Sequence, residues 1–228
     1  MKEFLQKAKQ SSRVVATLST AIKNKTLLEF ADAIEENSCF IIEENIKDMK
    51  LAKQLDLSSA MQDRLYLNDS RIQDMANAIR QIASQTEPVG RVLDGWLTKD
   101  NLNIQKVSIP IGVIAIIYES RPNVTSDTAA LCFKSGNVCV LKGGKEAENS
   151  NRAIAKIIQD VLEKNNLPKE IVSLLPDSSR EGVAKLIVED KYVDLIVPRG
   201  GEALIKFITQ NSSIPVIKHD KGVCHTFI

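Results

Sequence analysis

One short segment combines an arginine and an asparagine where both could contact a ligand. Arg121 and Asn123 lie in the segment Tyr118–Asn123, which follows a strongly apolar run. An arginine can hold a carboxylate or a phosphate through two parallel hydrogen bonds, and an asparagine can donate to a developing oxyanion. The segment therefore predicts a site that binds an anionic substrate or stabilises an oxyanion, although a surface turn before a helix fits the same residues.

Two further segments pair glycines with basic residues. They are Lys142-Gly143-Gly144-Lys145 and Pro198-Arg199-Gly200-Gly201. Glycine lets the backbone come close to a ligand, and cations and helix N-terminal amides attract phosphate. Neither segment matches the GxGxxG or the P-loop pattern, and each taken alone also fits a tight turn. Because both follow predicted strands, together they favour a ligand that carries a pyrophosphate.

The cysteines are weaker candidates for chemistry. Cys224 stands beside His225, but adjacent side chains of an extended segment point to opposite faces, which argues against a catalytic pair. Cys132 and Cys139 fall in segments predicted to be buried, where packing explains them. Together with Cys39 they show no CxxC spacing, so we expect reduced thiols, no zinc site and a cytoplasmic protein.

Alternating strands and helices must position these segments. After residue 109, short apolar runs rich in β-branched residues alternate with amphipathic stretches. We predict strands over 109–117, 138–141, 171–174, 195–197 and 216–217, and helices over 126–134, 150–163, 182–189 and 202–210. This alternation indicates an α/β fold with a Rossmann-like parallel sheet in residues 110–228. Such sheets bind ligands at the carboxyl ends of their strands.

The first 90 residues are predicted to form a helical front. Apolar residues recur at helical spacing at Leu27, Leu28, Ala31 and Ile34, and again at Ile72, Met75, Ala76, Ile79 and Ile82. Asn68 could cap the second of these helices, although a loop asparagine fits the same position. The turn residues 87–90 end the front. A short β arm is expected over 97–109, in which residues 102–107 alternate as a half-buried strand does.

Composition excludes several classes of partner. The 228 residues carry 30 basic and 29 acidic side chains, a net charge of +1, which predicts neither nucleic acid nor an acidic membrane as a partner. Aromatic residues make up 4%, too few for a base-stacking surface. No apolar run approaches the roughly 20 residues that span a bilayer, and residues 1–13 contain no signal-peptide core.

Four stretches of the sequence closely resemble one enzyme family. They are 110–124, which contains the Tyr-Glu-Ser-Arg-Pro-Asn segment, 131–145, 193–201 and 214–225. These motifs resemble the gamma-glutamyl phosphate reductases of the aldehyde dehydrogenase group, and the resemblance covers the whole chain. It implies an aldehyde-dehydrogenase-like cofactor-binding domain. It also implies reduction of L-glutamate 5-phosphate by NADPH to L-glutamate 5-semialdehyde and phosphate, in proline biosynthesis.

The resemblance implies roles for the glycine-containing segments as well. Lys142 matches the lysine that reaches the adenosine ribose, and Lys145 stands where many NAD-using relatives carry a ribose-binding glutamate. A cation in that place would favour the 2′-phosphate of NADPH. Arg199, Gly200 and Gly201 match the loop that faces the cofactor pyrophosphate.

The nucleophilic cysteine of the family is expected beyond Ile228, because Cys224 matches a strand cysteine instead. In these enzymes a thiolate forms a thioester that accepts hydride, so residues 1–228 are expected to bind the cofactor without performing the reaction. Two alternatives stay open: a non-catalytic dinucleotide-binding fragment, and an acylating aldehyde dehydrogenase that uses coenzyme A. The resemblance suggests a homo-oligomer joined through the 97–109 arm, with partner strands further along the chain, and an association with glutamate 5-kinase.

Overall fold

Five helices form the front of the chain. The computed structural model describes residues 1–218, and these helices span Lys2–Val15 (α1), Thr20–Glu36 (α2), Ser38–Gln54 (α3), Ser59–Leu65 (α4) and Asp69–Ser84 (α5). The helices predicted for this part of the sequence are therefore confirmed. Asn68 caps α5 and accepts a hydrogen bond from the backbone N–H of Arg71 at 2.9 Å, as an asparagine before a helix favours.

One apolar stripe is narrower than predicted. Leu27, Ala31 and Ile34 are completely buried, whereas Leu28 is 45% exposed. Successive residues of a helix point about 100° apart, so Leu28 turns away from the core that holds Leu27. The stripe of α5 is confirmed throughout, because all five of its predicted residues are buried.

A two-stranded antiparallel hairpin follows the front. Its strands are Val92–Leu97 (β1) and Asn103–Val107 (β2). Two expectations are wrong here: the hairpin begins at residue 92 and not 97, and both strands are exposed along their whole length, so β2 is not half-buried. β2 pairs with β1, which precedes it, so its partner is not confined to later parts of the chain. The sequence pattern missed β1 because Asp94 and Gly95 interrupt its apolar residues.

Four parallel strands form the central sheet. They span Val113–Tyr118 (β3), Val138–Lys142 (β4), Val172–Leu174 (β5) and Leu195–Arg199 (β6), in the order β5-β4-β3-β6. β3 is buried along its whole length and pairs with β4 on one side and β6 on the other. The strand predicted at 216–217 forms a single bridge, in which Val216 pairs with Ile196 of β6. The predicted α/β fold with a parallel sheet is confirmed.

The first strand of this sheet begins later than its apolar run predicts. Ile109 and Ile111 are 79% and 53% exposed. The backbone N–H groups of Ile111 and Gly112 donate to the side-chain Oδ1 of Asn137 at 2.7 and 2.8 Å, instead of to a neighbouring strand. Gly112 has a φ of +126°, and a Cβ there would lie 2.2 Å from Asp194 Oδ2. Only glycine fits this turn into β3.

Four further helices connect and flank the strands. They span Asn123–Lys134 (α6), Glu148–Lys164 (α7), Arg180–Leu186 (α8) and Glu202–Asn211 (α9), within three residues of the predicted bounds. Residues of α6, α7, the sheet and the front share one apolar core. Among residues 1–218, no helix combines the length and the apolar character that a membrane span requires.

Buried charges fasten the front to α6. Lys23 Nζ donates to Glu87 Oε1 at 2.5 Å and to the carbonyl oxygen of Lys134 at 3.1 Å. The Lys134 ammonium donates in turn to Asn24 Oδ1 at 2.6 Å. Both lysines are 2% exposed, so each depends on these partners. Burial would raise the pKa of Glu87, but hydrogen bonds from Lys23 and the backbone of Val89 outweigh this effect and lower the pKa.

A second buried carboxylate joins α3 to the start of α7. Asp48 is completely buried and accepts from the N–H groups of Asn149 and Ser150 at 3.1 and 2.7 Å. Asn45, one turn earlier on α3, donates to Ser150 Oγ at 3.0 Å and to the carbonyl oxygen of Leu65 at 2.8 Å. A carboxylate satisfies amides that are otherwise unpaired at a helix N-terminus. α3 therefore fixes both the start of α7 and the end of α4.

Replacing the buried lysine of α2 tests how the front is attached. We expect Lys23→Met to lower the free energy of unfolding by roughly 3 kcal/mol, because Glu87 would keep a largely buried charge without its partner. Lys25→Met is the matched control, since Lys25 lies on the same helix, is 69% exposed and pairs with Glu29 at 3.6 Å. For the control we expect a loss below about 1 kcal/mol. Urea unfolding measures both variants, and equal losses would contradict a special role for Lys23.

Candidate functional site

The central position of β3 brings the three predicted segments to one edge of the sheet. In the parallel register, Ile117 lies opposite Lys142 of β4 and Pro198 of β6, and Tyr118 lies opposite Arg199. β4 and β6 are each one strand away from β3, so the two glycine-containing segments begin about 10 Å apart. The three segments therefore border one region at the carboxyl ends of the strands.

Exposure differs among the residues of the glycine-containing segments. Lys142, the last residue of β4, is half-buried, whereas Lys145, the first residue of a short 3₁₀ helix, is exposed. In the other segment, Pro198 is buried inside β6 and Arg199 is exposed at its last position. Within the described chain, neither Lys145 nor Arg199 makes a side-chain hydrogen bond, so both cations are available to a ligand.

Glu119 links the first segment to the third. Its Oε1 accepts from the backbone N–H of Gly201 at 3.3 Å, at the N-terminus of α9. A Cβ on Gly200 would lie 2.7 Å from the Cδ of Glu119, so glycine allows the two loops to meet. The N-terminus of α9 thus faces an anion, which in this structure is a side chain. The residue pattern does not single out Glu119, because its partner comes from a distant part of the chain.

Glu146 links the first segment to the second. Its Oε1 accepts from the N–H of Ser120 at 2.9 Å and from the Ser120 hydroxyl at 2.5 Å. Burial would raise the pKa of Glu146, but the hydrogen bonds from Ser120 and the charge of Lys142 outweigh burial and lower the pKa. Burial lowers the pKa of Lys142, as does Lys145, while Glu146 and Glu119 oppose the shift. A further anion near Lys142 would stabilise its charged form.

A buried hydrogen-bond network lies against Gly143 and limits the space there. The hydroxyl groups of Tyr118 and Thr125 share a hydrogen bond of 2.6 Å, and Thr125 donates to Asn151 Oδ1 at 2.8 Å. Burial raises the pKa of Tyr118 above its ordinary value, so the phenol keeps its proton and can donate it to Thr125. A Cβ on Gly143 would lie 2.1 Å from Asn151 Nδ2 and 3.3 Å from the Tyr118 ring. This position therefore has no room for a side chain.

A cavity of about 200 Å³ lies beside the second segment. Lys142, Gly143 and Gly144 line part of it, and residues 174–176 at the end of β5 line another part with two leucines and a proline. Apolar walls with a few polar groups are typical of sites for small molecules. The cavity therefore suits a ligand whose apolar ring packs on these walls and whose polar or anionic edge meets the half-buried Lys142.

Arg121 and Asn123 line a different cavity, of about 310 Å³. We call it the front cavity, because α4, α5 and their connection form its other walls; its residues include Arg64, Leu67, Arg71, Met75 and Asp127. Asn123 Nδ2 donates to Asp127 Oδ2 at 3.0 Å. Asp127 was not among the predicted site residues, although it stands four residues after Asn123 and so lies on the same face of α6.

The described residues hold no metal cluster, and two of their three cysteines are buried. Residues 1–218 contain no group of three or more His, Cys, Asp or Glu side chains arranged around one metal ion. Cys132 and Cys139 are buried, as predicted, and the contact with Cys132 together with burial raises the pKa of Cys139. Cys39 is exposed on α3, and Cys224 and His225 lie outside the described residues.

Comparison with known proteins identifies the family. The sequence profile of the Aldehyde dehydrogenase family matches residues 1–219. This chain belongs to the aldehyde dehydrogenase family. Membership implies a nicotinamide dinucleotide as the cofactor, which agrees with two basic, glycine-containing segments at the ends of strands that flank β3.

Several similar members of the aldehyde dehydrogenase family are named gamma-glutamyl phosphate reductase. The one from Aliarcobacter butzleri is 73% identical over 228 residues, which are all of this chain and 55% of the relative. The one from Nautilia profundicola is 64% identical over 228 residues, which are 56% of its length. The chain thus spans about half the length of the curated relatives it matches.

Solved structures of aldehyde dehydrogenases share the fold. The gamma-glutamyl phosphate reductase from Thermotoga maritima superimposes with a TM-score of 0.91 at 38% identity, over 94% of this chain and 52% of its own. A probable aldehyde dehydrogenase from Listeria monocytogenes gives a TM-score of 0.74 at 18% identity, over 95% and 44% of the two chains. At that identity the likeness concerns the fold alone, and the predicted aldehyde-dehydrogenase-like fold is confirmed.

Substitution of Gly143 tests the close approach of the second segment to the buried network. We expect Gly143→Ala to lower the free energy of unfolding by roughly 1–3 kcal/mol, because the new Cβ would press against Asn151. In an Asn151→Ala background the same change should lower the free energy of unfolding clearly less, because Asn151 Nδ2, which the new Cβ would approach to 2.1 Å, is absent. A double-mutant cycle by thermal unfolding measures this coupling. Additive losses would mean that Gly143 does not approach Asn151 so closely.

Proposed function

We propose that this chain forms the cofactor-binding part of a gamma-glutamyl phosphate reductase, a cytoplasmic enzyme of proline biosynthesis. The reaction reduces L-glutamate 5-phosphate with NADPH and yields L-glutamate 5-semialdehyde and phosphate. The observation that carries the proposal is the 73% identity to a relative of that name over the whole chain. The meeting of three potential ligand-binding segments around β3 supports it.

The adenosine end of NADPH would occupy the cavity beside Lys142. The apolar wall of residues 174–176 would pack against the adenine ring, and Lys142 would reach the ribose. Lys145 is exposed and has no hydrogen-bond partner among the described residues, so it is proposed to face the 2′-phosphate. Burial is the main cause that lowers the pKa of Lys142; Glu146 opposes it, and the charge of Lys145 adds to it. A phosphate near the two lysines would offset their repulsion.

The pyrophosphate would lie at the N-terminus of α9. Arg199 and the backbone N–H groups of Gly200 and Gly201 provide positive charge and donors there. The Glu119 carboxylate accepts from Gly201 in this structure, so an entering phosphate would replace it at that amide. The two loops are about 10 Å apart by strand spacing, within the reach of a dinucleotide roughly 15 Å long.

The chain contributes binding and orientation to the proposed reaction. When bound, NADPH supplies the hydride. Arg121 and Asn123 are proposed to hold the anionic substrate beside β3. The nucleophilic thiol is proposed to come from beyond residue 228, because Cys132 and Cys139 are buried and a thiol enclosed by apolar surroundings is a poor nucleophile.

The comparisons favour an acyl phosphate over a coenzyme A thioester as the substrate. A propionaldehyde dehydrogenase from Rhodopseudomonas palustris, solved with bound CoA, shares the fold with a TM-score of 0.70, but only 15% of the residues are identical. The reductase from T. maritima reaches 38% identity. The pair of Arg121 and Asn123 beside β3 supports the same choice, because it can receive a small anionic substrate.

We also propose that the β1–β2 hairpin joins subunits of a homo-oligomer. Its apolar side chains are exposed on the described chain, with Trp96 at 51% and Leu97 at 71%. An isolated two-stranded hairpin is marginally stable in water, and contiguous exposed apolar surface marks contact with another protein. Pairing between subunits would stabilise the hairpin and cover its apolar side chains.

Charge reversal at Lys145 tests the proposed cofactor preference. In the full-length enzyme, Lys145→Glu should shift the ratio of kcat/KM for NADPH over NADH by roughly 5- to 100-fold towards NADH, the effect of losing one charge-assisted contact to the 2′-phosphate. Lys169→Glu is the control, because Lys169 precedes β5 and therefore lies at the opposite edge of the sheet. An unchanged ratio in Lys145→Glu would mean that this side chain points to solvent.

The location of the nucleophile can be tested with residues 1–228 alone. We expect this polypeptide to bind NADPH weakly and to show no oxidation of NADPH with L-glutamate 5-phosphate generated in place, because the reaction needs a thiol beside the substrate and none of the three described cysteines lines either cavity. Supplying the rest of the reductase chain should restore turnover. Turnover by residues 1–228 that disappears on Cys224→Ala would instead make Cys224 the nucleophile.

A further inference from the structure

The front cavity has the size and walls of a site for a small metabolite. Its volume of about 310 Å³ is near the lower end of the range for small-molecule sites, about 300–1,000 Å³. Leu67 and Met75 give it an apolar wall, and its other walls carry charged side chains of both signs. These walls suit a short ligand with an apolar middle and a charged end.

Three arginines from different elements line the front cavity: Arg64 of α4, Arg71 of α5 and Arg121 after β3. Arg71 is held in place, because its guanidinium donates to the carbonyl oxygen of Tyr66 at 2.8 Å and to Asp63 Oδ1 at 2.7 Å. Arg64 and Arg121 are exposed and make no side-chain hydrogen bond to the described residues. A carboxylate in the cavity would give them the planar partner that a guanidinium prefers.

Asp127 supplies the opposite charge. Its Oδ2 accepts from Asn123 at 3.0 Å, whereas its Oδ1 is enclosed and has no hydrogen-bond partner within residues 1–218. Burial raises the pKa of Asp127 against the hydrogen bond from Asn123. A buried carboxylate oxygen without a donor is unfavourable. An ammonium group in the cavity would supply the missing donor.

The loop after β3 connects the front cavity with the proposed cofactor site. Glu119 contacts the start of α9, and Ser120 contacts Glu146. Arg121 and Asn123, directly after them, already line the front cavity. The five residues from Glu119 to Asn123 span at most about 14 Å between the first and the last Cα even when fully extended. One short substrate can therefore reach from the cavity to the carboxyl end of β3.

We propose that the front cavity binds the amino-acid end of the substrate, a carbon that carries both a carboxylate and an ammonium group. Arg64 and Arg121 hold the carboxylate, Asp127 holds the ammonium, and Arg71 keeps the wall of α4 and α5 in place. The helical front then distinguishes an amino-acid acyl phosphate from one that lacks the amino group. This inference rests on the proposed reductase function, whose substrate carries these groups.

The test compares two aldehydes in the full-length reductase, run in the oxidative direction with phosphate and NADP⁺. One is L-glutamate 5-semialdehyde, and the other is 5-oxopentanoate, which has the same carbon chain without the amino group. Asp127→Asn should lower kcat/KM for the first roughly 10- to 100-fold, as expected for one charge-assisted hydrogen bond, and change the second less than about threefold. Equal losses for both aldehydes would overturn the assignment of Asp127.

Two comparisons make this test specific. Asp160→Asn is the control, because Asp160 is exposed on α7 and pairs with Lys156 on its own helix; both aldehydes should be oxidised as by the wild type. The Arg64→Ala/Arg121→Ala variant should weaken competitive inhibition by L-glutamate at least about tenfold and leave the KM for phosphate, the co-substrate of this direction, within about threefold. A KM for phosphate that rises as much as the inhibition by L-glutamate weakens would place the phosphoryl group in the cavity and overturn the proposal.

Failure of the proposed function would look different from failure of this inference. A wild-type enzyme that oxidises neither aldehyde would contradict the reductase function. Calorimetric measurement of L-glutamate binding would then still show whether the front cavity binds an amino acid. Binding that is lost in Asp127→Asn supports the amino-acid subsite, whereas equal binding by the wild type and the variant, or no binding by either, overturns it.

Discussion

The pairing of β3 on both of its edges determines where the functional parts of the chain lie. A strand that is buried along its length and has a parallel neighbour on each side brings three carboxyl ends together. The residues that follow it make the connections: Glu119 reaches the start of α9, and Ser120 reaches Glu146. The two basic, glycine-containing loops are thus both positioned through the segment after β3.

The helical front depends on that arrangement through two buried attachments. Lys23 and Lys134 tie it to α6, and Asp48 ties it to the start of α7. α6 carries Asp127 at the front cavity, and α7 follows the segment that contains Lys142. The same attachments therefore fix the walls of both cavities, so a change in the packing of the front would reach the cofactor side and the substrate side together.

Sequence periodicity located individual elements, because burial repeats with the period of a helix or a strand. It failed where side chains compete for the backbone: Asn137 captures two N–H groups ahead of β3, and Asp94 interrupts β1. The basic, glycine-containing segments could be selected because their residue types suggest a ligand. Glu119 and Asp127 could not, since their roles depend on partners that the fold alone brings together.

The β1–β2 hairpin makes one region of the chain depend on its surroundings for local order. Within residues 1–218 its strands pair only with each other and contain no buried residue, so the hairpin can open without disturbing the sheet. Its amide hydrogens should then exchange with solvent much faster than those of β3 in a lone chain. Pairing with another subunit would slow that exchange, so deuterium uptake at residues 92–107 would report how much of the protein is assembled.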